Sequence, residues 1–539
     1  MAGEQPYLAE PRPRRRGGSA GLICGVAALC VYVATCSPGI EWQDSGIHQY
    51  RILSGQLVHD RGLALSHPLH YWLGRAMLAV PVGDPIWRLN LLSAICGAVA
   101  VGLLAATLER LTRSRLAAML GAGVLLVAHS FWQMSALTET YTVAAALMTL
   151  EWYLLLVYAR SRSSGLLVLV FLVNGLHVAD HLLGLLTLAT YGVLVLDRLW
   201  RGHLAWRWTP VLAVAWLIGA APYWALVLAF HGQVGDWTTT IRSAFFGGGA
   251  GDPGWGDAVL NTRVSVGQAK LALLTLAYNF PSAALAVALG GVVRPAHGRR
   301  RVFRAVLLGQ TVLIGAFVGR YAIADLYTYF VPVCVLVGLW CGVGADWLLG
   351  WVRRSAWRPW AVGLLTANVL APVVVYACFP IVAESHGWMR SRLRDIPFRN
   401  EYRHFFCPWR VGDDSAARFA RAVLERAGPS GWLLMDTTTA HAVGTYYRLH
   451  GGPAGIRIYN GHRCLNVPNW PHLTEEELAA FVRAGGRVVV VPGAQAERLW
   501  GERFALDRSD GQFWLVRPAG AGQGTENEVD LPSPGEGMP

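Results

Sequence analysis

Eleven long apolar stretches punctuate this 539-residue chain, near 20–38, 88–108, 116–131, 141–159, 165–179, 181–197, 209–230, 268–293, 304–319, 328–350 and 360–380. A helix that crosses a bilayer needs about 20 mostly apolar residues. A chain that repeats such a length so often has little choice but a bundle of spanning helices, because backbone polar groups in lipid must be satisfied within each segment. The connectors agree. Arginines cluster at Arg12-Arg14-Arg15-Arg16, Arg110-Arg113-Arg115, Arg160-Arg162, Arg198-Arg201-Arg207, Arg294-Arg299-Arg300-Arg301-Arg304 and Arg353-Arg354-Arg358, all in short segments between apolar runs. Such loops mark the cytoplasmic side. Threading the chain from a cytoplasmic N-terminus puts every cluster inside and leaves 39–87, 132–140, 231–266 and 320–327 outside. The first stretch reads as an uncleaved anchor, since further spans follow it. Charged residues make up only 15% of the chain, against about 25% in soluble domains. The formal charge of +12 is therefore a topology signal, and no nucleic-acid partner is expected.

After Pro380 the pattern changes. Trp432–Asp436, Ile456–Tyr459 and Arg487–Val491 read as strands, and Ala440–His450 and Thr474–Ala484 as helices, the latter opened by Thr474 with Glu477 in capping-box position. Strands alternating with helices indicate a small α/β domain with a parallel core. The expected organisation is a basic cytoplasmic N-terminus over 1–19, a membrane domain over 20–382 with its outer loop at 39–87, an extracytoplasmic α/β domain over 383–519, and a disordered Gly-, Pro- and Glu-rich tail over 520–539. The expected setting is a bacterial inner (plasma) membrane. Of nine cysteines, only Cys407 and Cys464 lie in the polar C-terminal part, where an oxidising compartment would let them pair. No zinc-type Cys/His spacing is present.

The chemistry-bearing residues concentrate on the outer side. Glu41-Trp42-Gln43-Asp44-Ser45-Gly46 follows the first apolar stretch directly, so a carboxylate pair is held where a helix leaves the bilayer. Charge at that depth is costly and is read first as functional; the plainer alternative is that the pair solvates the helix exit. The first loop also supplies His48, Arg51, His67, His70, Arg75 and Arg88. The turn near 135–141 adds Glu139 and Tyr141, the turn near 177–181 adds His177, Asp180 and His181, and the 320–327 segment adds Arg320, Tyr321, Asp325 and Tyr327. Each has a bland reading alone: His177 and His181 can satisfy backbone groups at a tight turn, Arg320 and Asp325 can form a structural ion pair, and Glu139 can sit at a helix start favoured by the dipole. Together they would line an outer cavity with acids and cations. Within 231–266, a glycine-rich loop carrying Trp237 and Trp255 reads equally as a substrate lid or a loose linker.

Such a cavity suits transfer of a sugar from a polyprenyl phosphate, which presents its lipid in the bilayer and its sugar-phosphate at the surface. A carboxylate would take the proton of an acceptor hydroxyl as that oxygen attacks the anomeric carbon. Guanidinium groups would stabilise the departing phosphate. One-step displacement inverts the anomeric centre, as in inverting glycosidases.

Several segments in order resemble the multispanning family catalogued as domain of unknown function 2723, which includes protein O-mannosyltransferases of the transmembrane protein 260 type in glycosyltransferase superfamily C. The segments are Trp42-Gln43-Asp44-Ser45-Gly46, His67-Pro68-Leu69-His70-Tyr71, Trp87-Arg88-Leu89-Asn90-Leu91-Leu92-Ser93, Thr138-Glu139-Thr140-Tyr141, Gly175-Leu176-His177-Val178-Ala179-Asp180-His181-Leu182, Asp325-Leu326-Tyr327-Thr328-Tyr329-Phe330-Val331-Pro332 and Ile396-Pro397-Phe398-Arg399-Asn400. The resemblance implies a mostly α polytopic membrane protein of about eleven transmembrane helices with a small C-terminal α/β domain. It implies an inverting glycosyltransferase with Asp44 as base and His67, Glu139 and His181 lining the pocket. Two departures stand out: Ile47 replaces the acidic residue expected after Asp-Ser-Gly, and the second segment has Leu69 and His70 where the family reads Pro and Gly. The expected partners are a lipid-linked sugar donor, a protein hydroxyl or glycan acceptor, and membrane lipids. No cofactor and no obligatory metal are expected. Arg51, Arg75, Arg88 or Arg320 would hold the phosphate. A transporter or lipid flippase using the same polar residues is the first rival, and it calls for internal repeats that the sequence does not show. A non-enzymatic sensor presenting the α/β domain is the second.

Overall fold

All eleven apolar stretches are helical in the computed structural model, which describes residues 19–59, 61–248, 254–295, 300–323, 325–390, 393–467, 472–491, 504–508 and 513–517. The basic cluster at Arg12–Arg16 and the tail from 520 lie outside the described residues. By length and apolarity six helices can cross a membrane: Pro85–Thr112, Tyr141–Ser161, Trp208–Val234, Arg301–Arg320, Thr328–Trp351 and Arg358–Ser385. The number rises to eight if each of two bent pairs is one span, and Ser19–Thr35 and Ser164–Asp180 are shorter apolar helices. The fold is thus a polytopic helical one with at least six candidate spans among the described residues.

The helices start where their sequences say they should. Asp84 accepts hydrogen bonds from the backbone N–H groups of Ile86 and Trp87 at 2.8 and 3.1 Å ahead of Pro85 at the first helical position, and Ser114 caps Arg115–Val127 through Ala117 N at 3.2 Å. Both satisfy donors that a helix start leaves open. Two of the apolar stretches break. Arg115–Val127 and His129–Ser135 meet at 70°, and Val266–Asn279 and Ala284–Val293 meet at 101°, so 268–293 is a sharply bent pair rather than one straight helix. Pro281 explains the second break, since it lacks a donor and cannot continue the helix. Asn279 satisfies polar groups at both. Its Oδ1 accepts from Ser130 N at 2.8 Å and its Nδ2 donates to Ser130 Oγ at 3.2 Å, while Tyr376 donates to its carbonyl at 2.9 Å.

Small residues let the helices approach closely. A Cβ at Gly291 would land on the carbonyl oxygen of Trp340, and one at Gly344 on that of Val287. Backbone cannot move aside as a side chain can, and close small-residue contacts are a main source of helix association in lipid. Gly291→Val is therefore expected to cost roughly 1–3 kcal/mol or more through overpacking. A lower melting temperature of the purified full chain in detergent would register it; wild-type melting would show that the helices are not apposed there.

The chain divides into two units, Met1–Leu393 with Arg399–Ala417, and Arg394–Phe398 with Arg418–Pro539. In the second, β1 (Trp432–Met435), β2 (Arg457–Asn460), β3 (Arg463–Cys464), β4 (Val488–Val490), β5 (Ala505–Asp507) and β6 (Trp514–Arg517) form one sheet in the order β3-β2-β1-β4-β6-β5. β1 is parallel to both β2 and β4, giving the expected parallel core, and the outer pairings are antiparallel. Helix Glu475–Arg483 carries the full capping box of Thr474 and Glu477. Trp432 and Phe481 stack with centroids 3.9 Å apart in the core. All nine cysteines, Cys407 and Cys464 included, are free thiols. Cys464 Sγ instead donates to Asn466 Oδ1 at 3.3 Å.

Candidate active site

The segment between the first two apolar helices folds into helix Gln43–Ser54, a 3-10 turn at Leu63–Leu65 and helix Pro68–Leu78. Gln43 opens the first of these with φ +53, a left-handed conformation that a residue with a Cβ adopts only when its surroundings enforce it. Those surroundings are visible. Trp42 Nε1 donates to Ser415 Oγ at 3.0 Å, Gln43 Oε1 lies 3.2 Å from His404 Nε2, and the Arg399 guanidinium stands 5.2 Å from the Trp42 ring. The Arg399–Ala417 stretch therefore braces the turn that presents Asp44.

Asp44 is the exposed residue at the head of a helix that is buried from Ser45 through Ile52. Its carboxyl meets that of Asp325 within hydrogen-bonding reach, and the Arg61 charge also acts on it. Enclosure by surrounding protein raises both above the usual carboxylate range, and the Asp325 carboxyl raises Asp44 further; two carboxylates sharing a site hold a proton between them. Behind Asp44, Ser45 Oγ donates to Glu139 Oε1 at 2.7 Å, and Glu139 Oε2 lies 4.0 Å from His48 Nε2. Burial and the Asp44 charge push Glu139 well above its ordinary value. Burial likewise lifts Glu41 to about 7, with Asp413 adding to the rise and Arg410 opposing it.

Imidazoles form the next layer. His48 Nδ1 lies 3.2 Å from Tyr71 Oη, and the His48 ring is 5.5 Å from the rings of both His67 and His70. His67 bonds the Asp180 carbonyl at 2.6 Å and stacks on His181 at 5.2 Å; His181 in turn packs on Tyr141 at 5.1 Å. Burial drives His48 well below its ordinary value, His67 to about 4 and His70 to about 3, with the neighbouring charges of Arg51 and the other histidines adding to the shifts. These rings are thus neutral near pH 7 and act as hydrogen-bonding and packing groups. Arg51, 3% exposed, lies with its guanidinium 5.3 Å from the Tyr71 ring centroid. Tyr327 has Asp325, Glu139 and Asp44 as electrostatic neighbours. Among the described residues no group of three or more His, Cys, Asp or Glu is placed to hold a metal ion.

Of the residues singled out in the sequence, Asp44, His48, Arg51, His67, His70, Glu139, Tyr141, Asp180, His181, Asp325 and Tyr327 come together here. Four do not. Arg88 caps helix Pro68–Leu78 by donating to the Leu78 carbonyl at 2.8 Å. Arg75 is exposed beside Gly55. Arg320 donates to the Asn261 carbonyl at 2.7 Å. His177 turns inward to pair with Glu151 at 3.0 Å. Sequence reasoning passed over Ser45, Arg61 and Tyr329, the last with its ring 5.5 Å from that of Tyr141 and 5.9 Å from that of His181. Ser45 was legible as the residue beside Asp44, and Tyr329 as part of the Asp325–Pro332 segment. Arg61 lies in an irregular loop and left no local signal.

The comparisons with known proteins agree with this picture. Residues 55–202 match the family model described as the N-terminal domain of protein O-mannosyl-transferase TMEM260; the match takes in His67, His70, Glu139, Tyr141, His177, Asp180 and His181 and begins after Asp44. The fold is similar to that of ArnT from Cupriavidus metallidurans in a crystal structure bound to undecaprenyl phosphate, with TM-score 0.59 and 16% identity, covering 92% of this chain and 97% of that one. It is also similar to the apo state of the same enzyme, with TM-score 0.57 and 17% identity over 92% and 98% of the two chains.

Proposed function

We propose that this chain, whose residues 55–202 match the model of the TMEM260-type O-mannosyl-transferase N-terminal domain, transfers a sugar from a polyprenyl-phosphate donor to a protein hydroxyl or glycan on the outer face of a membrane, with Asp44 as general base. The observation that carries the reading is the exposed Asp44 carboxyl paired with Asp325 at the mouth of a buried layer of acid, imidazole and guanidinium groups. That one ArnT structure was solved with undecaprenyl phosphate supports a donor of the same chemical kind. In the reaction, ionised Asp44 takes the acceptor hydroxyl proton, the freed oxygen bonds to the anomeric carbon, and the bond to the lipid phosphate breaks with its electron pair leaving on the phosphate. Arg61 and Arg51 are the guanidinium groups that belong with this cluster, and they take the role of stabilising the leaving phosphate. In this reading the arginine-rich connectors put the N-terminus inside and the Asp44 loop outside. The histidines, kept neutral by burial, orient substrate rather than carry charge.

The carboxyl pair predicts the pH profile. A base works only when ionised, and the raised pair loses its proton above the usual carboxylate range, so activity should climb with pH through that raised value. Asp325→Asn removes the neighbouring negative charge, which lowers the proton affinity of Asp44 and should move the acidic limb to lower pH. Initial rates of transfer from a lipid-linked sugar in membranes, measured from pH 4 to 8, test this. An acidic limb that stays in place in Asp325→Asn would detach the pair from the reaction.

A further inference from the structure

Helix Pro85–Thr112 begins at the Asp44 site, where Asn90 accepts from Gln49 at 3.0 Å and Ser93 Oγ accepts from Glu139 N at 3.0 Å. It ends at Thr112. At about 1.5 Å per residue, the roughly 20 residues between amount to about 30 Å, the thickness of a bilayer's hydrocarbon core. Thr112 therefore lies at the opposite membrane face, the one the arginine-rich connectors mark.

At that face a hollow of about 270 Å³ opens between Thr112, Arg294, Phe303, Arg304, Trp340 and Asp346. Arg294 Nη1 pairs with Asp346 Oδ2 at 2.6 Å and also donates to the Val343 carbonyl at 3.2 Å. The Arg304 guanidinium sits 5.5 Å from the Trp340 ring centroid and donates to the Val292 carbonyl; among the described residues no carboxylate pairs with it. Two guanidinium groups against one carboxylate leave the hollow positive, while Phe303, Leu307 and Trp340 give it apolar walls. A guanidinium fork matches the oxygens of a phosphate, and basic pockets between membrane helices are suited to anionic headgroups.

We propose that this hollow binds the phosphate group of an anionic membrane lipid, in the leaflet opposite the Asp44 site. The bound headgroup would sit against Arg304 and compete with Asp346 for Arg294, with the first acyl carbons against the aromatic walls. Inorganic phosphate shares the headgroup's charge but leaves those walls uncovered. The site is separate from the reaction proposed above and stands or falls without it.

The test uses the full chain in neutral detergent and follows thermal unfolding against dioctanoyl phosphatidylglycerol, dioctanoyl phosphatidylcholine and inorganic phosphate. A saturable rise in melting temperature with phosphatidylglycerol alone is expected. Arg304→Gln should raise the half-saturating concentration by about tenfold or more, the loss of a charge-assisted contact. Asp346→Asn should lower it several-fold, because Arg294 is then released toward the phosphate. An equal rise with phosphatidylcholine, the same rise with inorganic phosphate, or no saturable rise would each overturn the lipid site. If Arg304→Gln fails to fold, Asp346→Asn decides alone: unchanged or weakened binding overturns the proposal, since a merely structural ion pair gives no reason for tighter binding when it is broken.

Discussion

Asp44→Asn is expected to reduce sugar transfer by about 100- to 10,000-fold, the range that a positioned general base supplies, while leaving the protein folded. The substitution is nearly isosteric, and the side chain is exposed at the head of its helix, so neither a cavity nor a buried unpaired charge is created. Asn retains a hydrogen bond to Asp325 but cannot accept the acceptor's proton. The effect should therefore fall on kcat with donor binding little changed. Membranes supplied with a polyprenyl-phosphate sugar, assayed alongside a melting curve of the purified variant, separate the two. Full transfer by a folded Asp44→Asn chain would remove Asp44 from the chemistry.

Glu151→Ala should produce the largest loss of stability in the helical unit. Glu151 is fully buried, and its carboxylate gathers His177 Nδ1 at 3.0 Å, Tyr191 Oη at 2.8 Å and Asn174 Nδ2 at 3.2 Å. Asn174 also donates to the Gly184 carbonyl at 3.0 Å, so the same cluster fixes the turn that carries Asp180 and His181. Removing one member strands the others away from water, a change that costs about 3–5 kcal/mol when a buried ion pair is broken. The thermal midpoint in detergent should fall well below wild type for Glu151→Ala and much less for Glu151→Gln, which keeps an acceptor for His177 and Tyr191. Equal midpoints for Glu151→Ala and wild type would show that the cluster is not held together in the membrane-embedded protein.

His177 shows where reading along the chain stopped working. Beside Asp180 and His181 it looks like one member of an outer cluster, yet the helix ends at Asp180 and extended backbone carries His181 away, while His177 stays on the helix and meets Glu151 one helix away. Arg88 and Arg320 show the same limit. Each is a guanidinium next to an outer loop, and each donates to a backbone carbonyl, at Leu78 and Asn261, instead of facing the Asp44 cluster. Charge type and place in the chain could be read from sequence; side-chain direction and the nearest acceptor could not. The bent pairs carry a related lesson. Pro281 signals a break locally, but only the packed structure places Asn279 where it serves both that break and the one at Ala128.

What the amino-acid order alone determined is local and periodic: the long apolar helices, the cap at Thr474, and the strand–helix alternation that yields a parallel core. These follow from interactions within a few residues or from transfer of a segment into lipid, so neighbours suffice to specify them. Tertiary structure decided the rest. It set Asp44 against Asp325, added Arg61 to that pair, folded Arg399–Ala417 back beneath Gln43, and opened a positive hollow at the other face. Such meetings depend on how helices far apart in the chain pack and on which small residues let them approach, and no local pattern carries that information.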